Sequence, residues 1–254
     1  MSPSRMTRSG RPPSVGVASH VGKVRAHNED SARAEGSLFV VADGMGGHAA
    51  GEIASTIATD ALIELSGRAD LGVDDIVEQV AVANRRILES AAQHPEQHGM
   101  GTTLTGVAVV LVDGRPHWAV FNIGDSRVYR CVDGTLTQVT VDHSEVQELV
   151  DRGYLTAEQA ARHPARNIIT RSLGREPMNE VDTWVFPPAP GERLVICSDG
   201  LSNELDPEDI ESVVHEADDA QQAAEALVQR AVEAGGRDNV TAIVIVMPDD
   251  IDTE

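Results

Sequence analysis

The stretch "LVICSDGLSNEL", residues 194–205, carries an unbroken apolar run straight into an acidic residue followed by glycine. Leu194, Val195, Ile196 and Cys197 show no polar alternation, which is the pattern of a short strand buried between layers. The chain has done the same earlier, where "LFVVADGMGG", residues 38–47, runs from Leu38 through Val41 into Asp43-Gly44. A single Asp-Gly after a strand is a turn signal. Two core strands that each deliver one to their C-terminal end imply a shared use for the carboxylate.

Residues 15–19 open the ordered part, 38–42 and 193–197 are the two buried strands, and 103–112, 117–123, 127–132 and 240–247 read as further strands. Asp113-Gly114 and Asp133-Gly134 are hairpin signals, and Gly124-Asp125-Ser126 marks another tight turn. Small and apolar residues recur at helical spacing over 48–66, and over 73–93 Ile76, Val80, Ala83, Ile87 and Leu88 share one face. Residues 207–216 and 220–233 also read as helices, the first introduced by Asp206-Pro207. Between 142 and 180 the pattern weakens to short helices broken by Gly and Pro. Two helices, a strand meander, then two helices and a closing strand give the α+β class, with helices packed on sheets. No repeat or linker divides the chain. One domain is expected over 14–247, between a disordered, basic, Ser/Pro-rich arm at 1–13 and an acidic tail at 248–254.

The 254 residues suffice for one large domain, and with 41% hydrophobic but only 3% aromatic residues its core must rest on Val, Ile, Leu and Ala. A net charge of −21 disfavours coating a nucleic-acid backbone and suits cationic ligands, metal ions included. Cys131 and Cys197 sit inside apparent strands, as small core residues of a reducing compartment rather than a disulfide framework. No apolar run approaches the ~18 residues of a membrane helix, and no hydrophobic segment follows the basic N-terminus as in a signal peptide. The expectation is a cytoplasmic monomer with no nucleic-acid or membrane contact.

Five acidic residues lie at strand edges or tight turns: Asp30 in "RAHNED", Asp43, Asp125 in "NIGDSR", Asp199, and Asp238 in "GGRDNVT". Any one of them is well explained as a turn residue. As a set they are harder to dismiss, because strand ends from one sheet face can converge. Several close carboxylates repel unless cations neutralise them, and an all-oxygen donor set suits Mg²⁺ or Mn²⁺.

"VRAHNEDS", "VADGMGGHAAGE", "GTTL", "NIGDSRVYR", "DHS", "NIITRSLG", "CSDGL" and "GGRDNVTAIVI" occur in this order along the chain. Together they resemble the bacterial PP2C-like metal-dependent protein serine/threonine phosphatases, over residues 15–247. The resemblance implies an α-β-β-α sandwich, two antiparallel sheets flanked by helix pairs, with two Mn²⁺ or Mg²⁺ ions at one end. By motif, Asp43 bridges both ions, Asp199 and Asp238 complete the first site, and the carbonyl of Gly44 binds the second. Asp30, with Glu29, acts there directly or through water; Asp125 with Asp199 holds a third ion. Arg25 matches the phosphate-binding arginine. The implied chemistry is in-line attack of a metal-bridging hydroxide on phosphoserine or phosphothreonine in proteins, a serine/threonine kinase among the possible partners. A phosphatase of an anti-sigma-factor antagonist and a non-catalytic phosphoprotein binder are the rival readings.

His48 stands three residues beyond Met45, the position that holds a proposed proton donor in some members. It reads equally as that general acid or as the start of a helix. Thr102 and Thr103 read as plain strand residues, and Asn239 as orienting Asp238 or its turn. Residues 142–144 read as a helix start with Asp142 or Ser144 capping, at the opening of the family's flap, here 144–180.

Overall fold

The computed structural model describes residues 12–46 and 50–250. His48, most of the N-terminal arm and the end of the acidic tail lie outside the described residues. Among the described residues eleven strands and seven α-helices follow in order. The strands are β1 (Ser14–His20), β2 (Asp30–Glu35), β3 (Leu38–Met45), β4 (Gly101–Thr102), β5 (Leu104–Val112), β6 (Arg115–Ile123), β7 (Arg127–Val132), β8 (Thr135–Gln138), β9 (Asp182–Phe186), β10 (Arg193–Cys197) and β11 (Val240–Val246). The helices are α1 (Ala50–Ile63), α2 (Val73–Gln93), α3 (Glu145–Asp151), α4 (Ala157–Ala161), α5 (Asp199–Ser202), α6 (Pro207–Glu216) and α7 (Ala220–Ala234). No helix among the described residues is long and apolar enough to cross a membrane.

The strands form two antiparallel sheets, one in the order β1-β11-β10-β7-β8 and one in the order β2-β3-β5-β6-β9, with β4 pairing β3. Because side chains alternate across a strand, the central strands feed two cores at once. Phe39 and Val41 of β3 join Leu194 and Ile196 of β10 and Ile243 and Ile245 of β11 in a core between the sheets. Leu38, Val40 and Ala42 face outward to α1 and α2, and Val195 and Cys197 face α5 to α7. The uninterrupted apolar runs of β3 and β10 follow from being sandwiched on both faces, which gives the α-β-β-α layers.

Both hairpin signals hold. Asp113-Gly114 joins β5 to β6 with φ of 50° and 78°, and Asp133-Gly134 joins β7 to β8 with φ of 48° and 83°. These are the paired left-handed conformations of a two-residue turn. Gly124-Asp125-Ser126 carries the chain from β6 in one sheet to β7 in the other. Between β8 and β9 the chain leaves the sandwich for the insertion that bears α3 and α4.

Candidate metal centre

One end of the sandwich collects the carboxylates because both sheets deliver strand ends there. Asp43 lies near the end of β3, Asp125 at the crossing between sheets, Asp199 two residues after β10, and Asp238 two residues before β11. With Arg25, Glu29, Gly44, Asn167 and Ile169 they line an open cleft of about 400 Å³. Asp30 does not line it. It pairs with Asp43 across the β2–β3 ladder, and its Oδ2 accepts a 2.8 Å hydrogen bond from Ser198 Oγ. Of the adjacent candidates, Glu29 faces the cleft and Asp30 lies behind it.

The backbone of Asp43 is held on both sides. Its N–H donates to Thr103 Oγ1 at 2.9 Å, and its carbonyl accepts from Thr102 Oγ1 and from the Thr103 N–H, each at 2.9 Å. Thr102 and Thr103 are therefore positioning residues, not the plain strand residues their sequence suggests. Asp199 opens a four-residue helix instead of the turn expected there. That helix places Asn203 one turn on, where its Nδ2 donates to Asp199 Oδ2 at 2.9 Å. Sequence reasoning passed over Asn203; the i,i+4 spacing shows it once the helix is known.

Neither Gly44 nor Gly200 has positive φ. A Cβ on Gly44 would collide with the backbone of Gly51, and one on Gly200 with the carbonyl of Asn239. Close backbone approach explains both. Asn239 does more than hold Asp238, whose Oδ1 accepts its N–H at 2.8 Å. Its Nδ2 donates to the carbonyls of Val21 and His27, each at 2.9 Å, and its Oδ1 accepts the Glu29 N–H at 2.8 Å. Those bonds clamp the segment that carries Arg25, whose Nη2 lies 2.6 Å from Asp238 Oδ2.

His143 is a second unanticipated link. Ser144 caps α3 as expected, but the buried His143 accepts the Gly124 N–H on Nδ1 at 3.0 Å and donates its own N–H to the Gly124 carbonyl at 2.9 Å. Its carbonyl accepts the Thr170 N–H at 2.7 Å, and Nε2 lies 3.2 Å from Asp182 Oδ2. Burial pulls the imidazole pKa down, while Asp182 pulls it up. The Nδ1 acceptor places the proton on Nε2. The Asp125 turn and the wall carrying Asn167 and Ile169 are thereby joined through one residue, by its ring on the turn side and its backbone carbonyl on the other.

Burial is the first cause that raises the carboxyl pKa values here, and mutual repulsion the second. Asp30 is pushed up to about 7, with Ser198 and Thr241 hydroxyls pulling the other way. Asp43 and Asp125 are held well above the ordinary range by burial and by their acidic neighbours, and Asp199 is raised by burial and by Asp238. Glu29 Oε1, Asp30 Oδ1 and Asp199 Oδ1 are buried without a hydrogen-bond partner. Crowded carboxylates with orphaned lone pairs fit hard divalent cations. Among the described residues no three acidic, His or Cys side chains close on one point, so backbone oxygen and water would have to complete any coordination, as is usual for Mg²⁺.

Known proteins resemble the chain over most of its length. The profile of protein phosphatase 2C matches residues 19–235. The serine/threonine phosphatase stp of Listeria welshimeri is 34% identical over 235 residues, covering 88% of this chain and 92% of that one. PstP of Mycobacterium tuberculosis is 40% identical over 225 residues, which span 88% of this chain but 43% of that longer protein. The crystal structure of the catalytic domain of the serine/threonine phosphatase PstP with two manganese ions superposes with a TM-score of 0.84 at 36% identity, covering 92% of this chain and 98% of that one. With the layered fold, the acidic cleft and a family match over most of its length, the chain belongs to the protein phosphatase 2C family of metal-dependent serine/threonine phosphatases.

Proposed function

We propose that the cleft hydrolyses phosphoserine and phosphothreonine in proteins, autophosphorylated serine/threonine kinases among them, with Asp43, the Gly44 carbonyl, Asp199 and Asp238 holding a pair of Mn²⁺ or Mg²⁺ ions. The observation that carries this reading is the convergence of Asp43, Asp125, Asp199 and Asp238 from both sheets on one cleft with Arg25 and Glu29. Glu29 faces the cleft as a ligand reached directly or through water, and Asp125 with Asp199 is the candidate for a third ion. When bound, the metals supply charge neutralisation and a water activated near neutral pH.

The chain's own residues do the rest. Arg25, with half its side chain exposed, offers a planar fork to two phosphate oxygens and exchanges Asp238 for them. Asp30, held by Ser198 behind the cleft, orients what Asp43 and Glu29 bind. Thr102 and Thr103 fix the Asp43 main chain, so its carboxylate keeps its aim as charge builds up. His48 remains a candidate proton donor to the leaving oxygen. The two free, buried cysteines support a reducing, cytoplasmic setting, and we take the enzyme to act as a monomer.

The test is hydrolysis of a phosphothreonine peptide with Mn²⁺, with chelator, and in Asp43→Ala. Chelation should abolish turnover, and Asp43→Ala should lower kcat more than ~100-fold, the scale of losing one preorganised electrostatic group. Full activity in chelator or in Asp43→Ala would remove the proposed mechanism.

A further inference from the structure

Across the chain 41 of 254 residues are acidic, about one in six, yet the cleft opens between two segments that contain none. One is residues 12–28, with Lys23 and Arg25; the other is residues 159–175, "QAARHPARNIITRSLGR", with Arg162, Arg166, Arg171 and Arg175. Both reach the cleft, the first through Arg25, Ala26 and His27 and the second through Asn167 and Ile169. In a molecule of net charge −21, an anionic protein is repelled by most of the surface. On these two segments the sign is reversed.

The arginines of the second segment are not equivalent. Arg171 is spent on Asp182 at 3.0 Å, and Arg175 donates to Ser172 Oγ. Elsewhere Arg33, Arg86, Arg130 and Arg230 are each paired with a carboxylate. Arg162, exposed at the end of α4, makes no ion pair among the described residues. Among the described residues the Arg166 side chain donates only to the Asn167 side chain and the Ala161 carbonyl, at 3.4 and 3.3 Å. Its charge is also felt by Glu204, the partner of Arg237, next to Asp238. Arg166 therefore stands beside the cleft-lining Asn167. Beside it Ile168 is 51% exposed, so a bound segment would meet apolar and cationic surface together.

We propose that Arg162 and Arg166 form an anion-docking rim on the insertion, which selects phosphorylated segments that carry further acidic groups next to the residue being dephosphorylated. This rests on the phosphatase reading above. The metal centre takes the phosphate that is hydrolysed. The rim takes a neighbouring carboxylate or a second phosphate, since guanidinium forks suit either. Rim charges of this kind act on encounter and on KM more than on the chemical step, and they weaken with salt.

The test compares three phosphothreonine peptides, flanked by Asp/Glu, by Asn/Gln, or by Asn/Gln and a second phosphothreonine, with p-nitrophenyl phosphate as a substrate that reads the metal centre alone. Wild type should show a KM about fivefold lower for one or both anionic peptides than for the neutral one, the scale of two exposed charge pairs. The double variant Arg162→Gln/Arg166→Gln should lose that preference and keep its turnover of p-nitrophenyl phosphate, while Arg230→Gln, on another face, should keep both. Which anionic peptide is favoured identifies carboxylate or phosphate as the recognised group. Equal KM values for all three peptides in wild type, or an unchanged preference in the double variant, would overturn the rim. A loss of preference as large in Arg230→Gln would reduce it to net charge and overturn it as well. Fluorescence-anisotropy binding of the same peptides with chelator present reads the rim without turnover. Failure of the phosphatase reading, seen as no hydrolysis of any substrate, is thus distinguishable from failure of the rim.

Discussion

The sequence contains four Asp-Gly pairs, and the fold uses them in two opposite ways. At Asp113-Gly114 and Asp133-Gly134 both residues take positive φ and close hairpins. No atom lies within 4 Å of a Cβ built on Gly114. At Asp43-Gly44 and Asp199-Gly200 neither residue has positive φ, both glycines are pressed against backbone, and the aspartates are crowded by other carboxylates. The first kind is chosen for backbone conformation and the second for space and charge. Neither composition nor a preceding apolar run separates them, since β5 ahead of Asp113-Gly114 is also buried on both faces from Leu104 to Val110; the end of the run does, exposed at Val112 but fully buried at Ala42 and Cys197.

The largest expected effect that would break this comparison is at Gly200. Gly200→Ala forces a methyl into the Asn239 carbonyl, a backbone atom that cannot step aside without moving the Arg25 clamp. It should cost more than about 3 kcal/mol, the upper end of overpacking effects. Gly114→Ala meets no neighbour and should cost only the left-handed strain, about 1–2 kcal/mol. Urea denaturation of the two variants against the parent measures both. If Gly114→Ala proves the more damaging, the division between conformational and spatial glycines is wrong.

How much of this could be read beforehand follows the same division between buried and exposed pattern. α2, β7, β10 and α6 coincide with their sequence reading end to end, because they carry an amphipathic face, a hairpin signal, a doubly buried run, or an Asp-Pro start with Asp206 capping Asp209. β2, β8 and β9 were not foreseen, and each is the last strand at one edge of its sheet. Edge strands bury little and tolerate sequences such as "DSARAE", so no hydrophobic period announces them. Within the site, the carboxylates could be found from their recurrence at strand ends. Asn203, Ser198 and the side-chain bonds of Asn239 and His143 could not, since their partners are brought near only by the fold. The placing of Asp30 behind Glu29 has the same cause: it depends on the β2–β3 ladder, which the sequence did not reveal.

A middle-sized effect concerns charge. Asp30 titrates at about 7 when folded, against an ordinary 3.8. A carboxyl raised on folding favours the folded state fully below its unfolded pKa, and that contribution is lost as pH rises through the folded value. With chelator present, stability should therefore fall between pH 4 and about 7, and Asp43 and Asp125, raised for the same reason, extend the loss upward. His143, held neutral by burial, works against this trend below its ordinary pKa. The net expectation is a Tm about 5 °C higher at pH 5.5 than at pH 8 in chelator, with Mn²⁺ at pH 8 restoring it and Asp30→Asn flattening the slope. A Tm that rises with pH in chelator would mean that the carboxylates are not in repulsive contact.

The smallest effect is the sharpest test of the comparison. Asp113 sits at φ 50° in an exposed two-residue turn, and asparagine tolerates that conformation as well as aspartate does. Asp113→Asn should change stability by less than ~0.5 kcal/mol and leave turnover untouched. The identical exchange at Asp199 retains the volume and the ability to accept from Asn203, but removes one negative charge from the cluster that must balance the cations. It should lower kcat more than ~100-fold, while in chelator the variant should melt no lower than the parent, because a repelling charge has gone. One substitution made at two Asp-Gly pairs thus distinguishes the roles: at the hairpin neither readout moves, and at the cleft turnover collapses while stability does not. A fall in stability at Asp199 that matched the loss of activity would instead make the carboxylate a structural element of α5, and the resemblance between the two kinds of Asp-Gly would then be more than one of sequence.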